Sequence, residues 1–314
     1  MKTILQYLRD YVSAHFRWKL YLGFLLIVTA FIAFNYALDF EDNVIDRQPL
    51  PGRIALFFLL HALAYYGIVL WTAWQTGRSQ ALRQKDFWIK SALGLLILCA
   101  FRAFPYLEAV ARSVPRELSV FVLRIVKYTL GWLTAAIPLF LLYLVYDRKA
   151  GNGFYGLKFR EVNFRPYAAM LLIVGPLALA ASFTESFLDM YPKYKPGQGH
   201  LFAEYMGWPD WGALVFFEIT YLSAFLFVEF FFRGFMIIGL DKYLKADVVL
   251  PMAATYAVFH FGKPLGETVS SVFGGYLLGI FALKGRNIWG GVFIHMGVAF
   301  FMELFAYFQK YVHF

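Results

Sequence analysis

The sequence predicts an all-α protein, a polytopic transmembrane helical bundle of about eight to nine spans. Of its 314 residues, 61% are hydrophobic and only 16% are charged. Soluble proteins carry roughly 45–50% apolar and about 25% charged residues. The apolar residues are gathered into nine runs, most of them near the roughly 20 residues that a helix needs to cross a bilayer.

The nine runs follow one another along the whole chain. The third, seventh and eighth are shorter than a full span, and Lys90 interrupts the third. The seventh and eighth are therefore expected to be partly re-entrant or buried among other helices. The runs are 20–38, 54–74, 87–101, 118–146, 167–187, 213–240, 248–261, 268–283 and 288–308.

Charge placement predicts the orientation and the compartment. With the N-terminus placed inside, the inner connecting segments hold more Lys and Arg than the outer ones, which predicts a cytoplasmic N-terminus. The run 20–38 lacks a clear small-residue cleavage site, so it is interpreted as a permanent span and not as a signal peptide. We expect an integral protein of the bacterial cytoplasmic membrane.

Net charge and cysteine content exclude some classes of function. The formal charge is +9, but the basic residues lie between apolar runs and form no basic block. Anionic lipid headgroups explain them better than nucleic acid does. Cys99 is the only cysteine, so an intramolecular disulfide is impossible.

The polar segment 147–165 divides the chain into residues 1–150, with four spans, and residues 151–314.

Ionisable residues inside the C-terminal spans are the candidates for function. A charged residue at the centre of a span costs about 2.5–3.5 kcal/mol, so such residues usually face the interior and pair with something. Glu229 and Arg233 are four residues apart in the sixth run, which places both on one helix face. His260 lies near the end of the seventh run and His295 lies in the ninth.

Helix geometry predicts that these groups lie at a similar depth. At about 1.5 Å per residue, Glu229, His260 and His295 all come near the middle of the membrane when counted from the same side. Glycines at positions 274, 275, 279, 290 and 291 predict close helix packing in this region.

The order of these motifs resembles a known family. Glu-x-x-x-Arg in one span, with the sequence FFFRG, is followed by Tyr256-x-x-x-His260 in the next and by His295 two spans later. This order is similar to that of the CPBP family, the CAAX-protease and bacteriocin-processing (Abi) intramembrane proteases. The resemblance covers residues 167–308. It implies that residues 151–314 form a CPBP/Abi-like intramembrane protease domain.

The resemblance implies hydrolysis of a peptide bond in a membrane-associated or lipidated peptide. Glu229 and His260 would activate water, Arg233 would orient the glutamate, and His295 would stabilise the oxyanion. The same Glu229, His260 and His295 can be written as a two-His, one-Glu zinc set. No dedicated motif such as His-Glu-x-x-His supports zinc, so the cofactor is none or a divalent metal. The expected partners are a peptide or membrane-protein substrate and the lipid bilayer.

Two positions depart from the family pattern and keep other functions open. Val228 stands where the first of two glutamates is usual, and Ala299 stands where Asn or Asp usually follows the last His. Glu267 and Glu218 are the remaining carboxylates that could contribute. A catalytically inactive relative, acting as a membrane binding or scaffolding protein, is the main alternative. A proton-coupled transporter that uses the same residues as a relay is the weaker one.

Overall fold

The structure is a computed structural model that describes residues 2–104, 106–150, 153–158 and 162–312. These residues form helices joined by short connections, and none of them is in a β-strand. The all-α class is therefore confirmed.

The α-helices within the described residues are numbered α1 to α15. Three π-helices also lie within the described residues, at Glu41–Ile45, Trp132–Ala136 and Phe230–Gly239. The α-helices are α1 Lys2–His15, α2 Trp18–Leu38, α3 Leu50–Thr76, α4 Lys85–Ala103, α5 Leu107–Ser113, α6 Ser119–Gly131, α7 Ile137–Tyr146, α8 Arg165–Ala181, α9 Glu185–Met190, α10 Pro196–Met206, α11 Asp210–Glu229, α12 Asp241–Leu244, α13 Val249–Phe259, α14 Leu265–Gly285 and α15 Trp289–Tyr311.

Seven helical stretches among the described residues are long and apolar enough to cross a membrane, which makes the chain an integral membrane protein. One of them, Asp210–Phe259, has 50 residues, and a straight helix of that length would measure about 75 Å. That is more than twice the roughly 30 Å of a hydrocarbon core, so it holds two predicted runs. The shorter helix Arg165–Ala181 accounts for the fifth run. Each of the nine predicted runs thus has its counterpart.

The chain divides into two compact units, each assembled from separate segments. The first comprises Met1–Ala103, Ile137–Asn163 and Glu229–Gly291, and the second comprises the rest. Residues 151 and 152, at the predicted domain boundary, lie outside the described residues, and the division at 150/151 stays a prediction.

The core of the first unit surrounds α13. This helix packs against α3, α14 and α2, and every residue from Val249 to Val258 is buried. An 11-residue helix that is apolar on all sides fits such a central place, which explains why the seventh run is short. The buried residues of α2, α3 and α13 form one continuous apolar cluster.

A ten-residue π-helix, Phe230–Gly239, follows α11 directly and is buried at every position. The sequence predicted a regular span here. A Cβ atom on Gly234 would lie 2.8 Å from the carbonyl oxygen of Tyr155, so only glycine allows that backbone to approach. Local π-helical turns occur frequently at functional sites.

Lys90, the charge that interrupts the third run, is fully buried and paired. Its Nζ lies 2.5 Å from Oδ2 of Asp147 and donates to the carbonyl of Gly239, the last residue of the π-helix. The hydroxyl of Tyr155 donates to the same carboxylate oxygen (2.6 Å), and Lys242 reaches the other oxygen at 3.0 Å. This network explains how a lysine is tolerated in an apolar run, since buried charges need partners.

The core of the second unit is aromatic. Phe217 and Tyr221 of α11 pack with Phe121 of α6, Tyr194 and Ala299 in one buried cluster. A hypothetical Cβ on Gly297 of α15 would collide with the side chain of Leu171 in α8. Close helix packing through glycine, predicted for other positions, therefore occurs here too.

Candidate functional site

Glu229 and Arg233 form a fully buried ion pair in the first unit. Glu229 ends α11, and Arg233 lies in the π-helix that follows. Nη1 of Arg233 is 2.9 Å from Oε1 of Glu229, and their side chains are 1% and 0% exposed. The predicted pairing at a spacing of four therefore occurs, even though the helix after Glu229 is not an α-helix.

The ring of Tyr256, on α13, packs against the Arg233 side of this ion pair. The guanidinium carbon of Arg233 lies 4.3 Å from the centroid of the Tyr256 ring, which is cation–π geometry. The ring of Phe232 packs edge-on against the same tyrosine, with centroids 4.8 Å apart. The guanidinium is therefore held between a carboxylate and an aromatic face.

His260 follows at the C-terminal end of α13. Its Nδ1 lies 2.8 Å from the backbone carbonyl oxygen of Tyr256, and its ring packs on the Tyr256 ring with centroids 4.4 Å apart. A carbonyl oxygen only accepts, so Nδ1 must carry the proton in this hydrogen bond. In the neutral imidazole the lone pair then belongs to Nε2, as a general base or a metal ligand requires.

The structure thus brings together Glu229, Arg233 and His260 through Tyr256. Gly291, the last residue of the first unit, lies against this path. A Cβ atom there would overlap the carboxylate of Glu229. Close helix packing is what the sequence predicts for Gly291, and the side chain packed against it is that of Glu229 in the candidate site.

Arg102, at the end of α4, fixes the backbone on both sides of His260. It donates to the carbonyl of Phe259 and, at 2.8 Å, to that of Phe261. It also pairs with Oε1 of Glu41. Its guanidinium lies 5.2 Å from the centroid of Phe259. We call Arg102 and Glu41 the carbonyl clamp, because Arg102 donates to the two carbonyls that flank the histidine and Glu41 pairs with Arg102.

Glu41 is itself held in place by its surroundings. Its backbone N–H donates to Oδ1 of Asn35 at 3.1 Å. Gly262 adopts a φ of 75°, and a Cβ atom there would lie 3.1 Å from Oε1 of Glu41. Burial raises the pKa of the Glu41 carboxyl, and the guanidinium of Arg102 opposes that shift. The turn after His260 therefore requires glycine for its backbone and for the space beside the clamp.

A second set of hydrogen bonds supports the carbonyl of His260. It accepts from Oγ1 of Thr268 at 2.8 Å, and the same hydroxyl lies 2.6 Å from that of Tyr36. The hydroxyl of Tyr36 also donates to the carbonyl of Lys263 at 2.5 Å. Helices α2, α4, α13 and α14 all contribute to the position of this one histidine.

His295 belongs to the second unit. It is half-buried on α15, and its ring lies 4.4 Å from that of Phe225 on α11, centroid to centroid. Ala299, one turn later, is 2% exposed within the aromatic cluster. The position at which the family usually carries an amide is thus surrounded by Phe217, Tyr221 and their neighbours.

The two spare carboxylates have different surroundings. Glu267 forms an ion pair with Lys263 at the start of α14. Glu218 lies half-buried on α11 in the second unit. Val228 is 8% exposed, and its side chain offers no group that could replace a carboxylate.

Comparison with known proteins agrees with the motif order. Residues 210–301 match the family described as type II CAAX prenyl endopeptidase Rce1-like. This segment belongs to the CPBP family of CAAX proteases. The predicted family is thereby confirmed, and the match includes Glu229, Arg233, His260 and His295. No curated protein and no solved structure matches the chain.

The carbonyl clamp lies outside the residues that this family match covers. Neither Arg102 nor Glu41 was among the candidate residues predicted from the sequence. The only local signal is that Arg102 directly follows an apolar run, which is equally typical of a residue at a membrane interface.

The donor set favours a carboxylate base over a zinc ligand. Arg233 already places a positive charge 2.9 Å from Glu229, and a second cation on that carboxylate would be repelled. His260 has the tautomer that either role needs. The zinc set of Glu229, His260 and His295 stays a prediction.

Proposed function

We propose that the chain is a CAAX-type intramembrane endopeptidase that hydrolyses a peptide bond of a membrane-associated or lipidated peptide. The observation that carries the proposal is the buried series Glu229, Arg233, Tyr256 and His260 within the segment that matches the family. A charged pair of this kind is costly in a membrane protein and is usually functional.

In the proposed reaction, Glu229 and His260 prepare a water molecule. Nε2 of His260 and the carboxylate of Glu229 share the removal of its proton, and the oxygen adds to the scissile carbonyl carbon. The proton then passes to the amide nitrogen as the C–N bond breaks, which yields a free carboxylate and an amine. Arg233 holds the glutamate in one orientation and neutralises its charge.

His295 is proposed to donate a hydrogen bond to the oxyanion of the tetrahedral intermediate. One such donor is typically worth about 10²–10³ in rate. The side chain of Ala299, which replaces the family's usual amide, cannot donate a hydrogen bond. His295 would then be the one side chain of these two motif positions that donates to the oxyanion. We therefore expect a slow enzyme compared with family members that carry both groups.

A specific observation favours the second candidate, a catalytically inactive relative that binds a membrane segment or lipidated peptide. Ala299 is packed in an apolar cluster, and Val228 is a buried aliphatic residue. Neither can perform the chemistry of the glutamate and amide that are usual there. The fold and the ion pair would then serve binding alone.

The test is cleavage of a quenched fluorescent peptide with a farnesylated cysteine by the full chain in liposomes. Glu229→Gln and His260→Ala should each lower kcat about 10²–10⁴-fold. Matched controls are Glu108→Gln and His200→Ala, which alter exposed residues that form their own pairs with Arg112 and Asp210. These controls should stay within twofold of the unmodified chain.

Three results separate the possibilities. Unchanged cleavage in Glu229→Gln and His260→Ala would show that this mechanism is wrong. Binding of the farnesylated peptide without turnover at any pH would establish the inactive relative. Loss of activity on dialysis against a chelator, with recovery on adding zinc, would replace the glutamate mechanism by the metal one.

A further inference from the structure

A cleft of about 500 Å³ lies in the first unit, away from the candidate site residues. Its walls come from the end of α1, from the turn at residues 241–246, and from the end of α14 with the residues just after it. Helix α2 begins at Trp18, shortly after α1 ends, and α15 begins at Trp289, shortly after α14 ends. All of these walls therefore lie at the ends of predicted spans, where lipid headgroups lie.

The cleft is strongly basic. Four of its lining side chains, Lys242, Lys245, Lys284 and Arg286, are cationic, and one, Asp241, is anionic. Two of the cations are already engaged. Arg286 pairs with Asp241, and Lys242 lies 3.0 Å from the carboxylate of Asp147.

The other two cations supply the excess charge. Lys245 and Lys284 are exposed, and within the described part of the chain neither forms an ion pair. Lys245 has a φ of 55°, an unusual conformation for a lysine. Two such ammonium groups in the lining of one cleft give it an excess of positive charge, which favours an anion.

His15 adds a group that can donate to the same anion. Its pKa is lowered, first by burial and then by the positive charges of Arg78, Lys284 and Arg17, while Asp247 opposes the shift. Its ring lines the cleft together with Lys245 and Lys284, and an imidazole N–H can donate to a phosphate oxygen.

Contacts within the first unit hold the walls of the cleft together. The hydroxyl of Tyr11 donates to the carbonyl of Ala246 at 2.8 Å, and α1 packs along α14. Phe16 and Trp18, next to His15 in the chain, are 56% and 63% exposed. Exposed aromatic residues at the start of a span are typical of the membrane–water interface, and lipid phosphates are concentrated at that interface.

We propose that the cleft binds the phosphate group of an anionic membrane lipid. Lys245 and Lys284 bind its phosphate oxygens, and His15 donates a hydrogen bond. Basic pockets between spans recognise headgroups in this way. The site is independent of the proposed peptidase reaction and would be present in an inactive relative as well.

The experiment titrates the purified full chain, in neutral detergent, with dioctanoyl phosphatidylglycerol and measures the thermal unfolding midpoint. Dioctanoyl phosphatidylcholine and inorganic phosphate are the comparison ligands. At about 1 kcal/mol for each lysine, Lys245→Gln with Lys284→Gln should weaken phosphatidylglycerol about 30-fold. Arg83→Gln with Lys85→Gln removes the same charge from two exposed residues at the start of α4 and just before it and should change the affinity less than twofold.

The proposal is overturned if both double variants weaken the lipid equally, because the effect would then be one of overall charge. It is also overturned if inorganic phosphate binds as tightly as the lipid, which would make the ligand a soluble anion. Should the Lys245→Gln, Lys284→Gln chain fail to fold without lipid, Lys284→Gln alone should show about a fivefold loss. Unchanged affinity there would also overturn the proposal.

Discussion

Replacement of Arg102 by lysine tests whether the carbonyl clamp holds His260 in place. The guanidinium reaches three acceptors at once, the carbonyls of Phe259 and Phe261 and the carboxylate of Glu41. Lysine keeps the charge but ends in a single compact ammonium without the planar fork. It can stay near Glu41, so the fold is retained, but it cannot serve both carbonyls.

The size of the effect follows from the hydrogen bonds lost. A hydrogen bond that involves a charged group contributes about 1.5–3 kcal/mol. Loss of one at the end of α13 should increase local opening of the turn about 10- to 100-fold. The global stability should change less than it would in Arg102→Ala, which leaves Glu41 buried without its partner at a cost of about 3–5 kcal/mol.

Amide hydrogen exchange across residues 259–263 is the assay, because it does not require the chain to be active. The N–H groups of His260 and Phe261 are bonded to the carbonyls of Ala257 and Val258, at 3.0 and 3.1 Å. Both should exchange faster in Arg102→Lys. Arg124→Lys is the matched control, since Arg124 also donates to a backbone carbonyl, that of Lys193, but in the second unit.

Kinetics give the second readout. If the peptidase reaction is established, Arg102→Lys should lower kcat about 10- to 100-fold with KM nearly unchanged, because a misplaced catalytic group costs this much. Unaltered exchange at residues 259–263 in Arg102→Lys would refute the clamp. Equal acceleration in Arg124→Lys would also refute it, by showing a general loosening of the chain.

Two further predictions follow from buried contacts. Gly291→Ala should displace the Glu229 carboxylate and lower kcat about 10- to 100-fold. The control is Gly274→Ala, where an added Cβ atom meets nothing within 4 Å and cleavage should be unchanged. Equal cleavage rates in the two variants would contradict the contact between Gly291 and Glu229. Asp147→Ala should lower the free energy of unfolding, measured by denaturant titration, by about 3–5 kcal/mol because it leaves Lys90 buried without a carboxylate. The double variant Asp147→Ala, Lys90→Met should recover part of that loss. No change in Asp147→Ala would contradict the network.

The fold was predictable because membrane helices are specified locally. Each span needs a run of apolar residues, and all nine runs have helical counterparts. The short seventh run was ambiguous from sequence alone, since its length fits a re-entrant or a buried helix equally. Packing of α13 against α3 and α14 decides between them, and such packing depends on residues far apart in the chain.

The candidate site was predictable only in part, for the same reason. The Glu229–Arg233 pair follows from a spacing of four within one helix. The clamp instead joins Arg102 to Glu41, 61 residues away, and to Phe259, 157 residues away. The π-helix after Glu229 was also missed, because the hydrophobic pattern of a fully buried segment does not distinguish it from an α-helix.

The carbonyl clamp bears on whether Val228 and Ala299, the two departures from the family pattern, mean that activity has been lost. A chain that had lost its chemistry would have no need to hold one histidine by four helices, yet α2, α4, α13 and α14 all contribute to the position of His260. Buried charge in a membrane is expensive to maintain, and both the clamp and the Glu229–Arg233 pair consist of it. The free-energy cost of these buried charges is explained if the imidazole must stay in one orientation to activate water. Peptide binding alone tolerates displacements that catalysis does not. In the proposed reaction, Val228 and Ala299 would limit the rate, and the positioning of His260 would be what the rest of the first unit preserves.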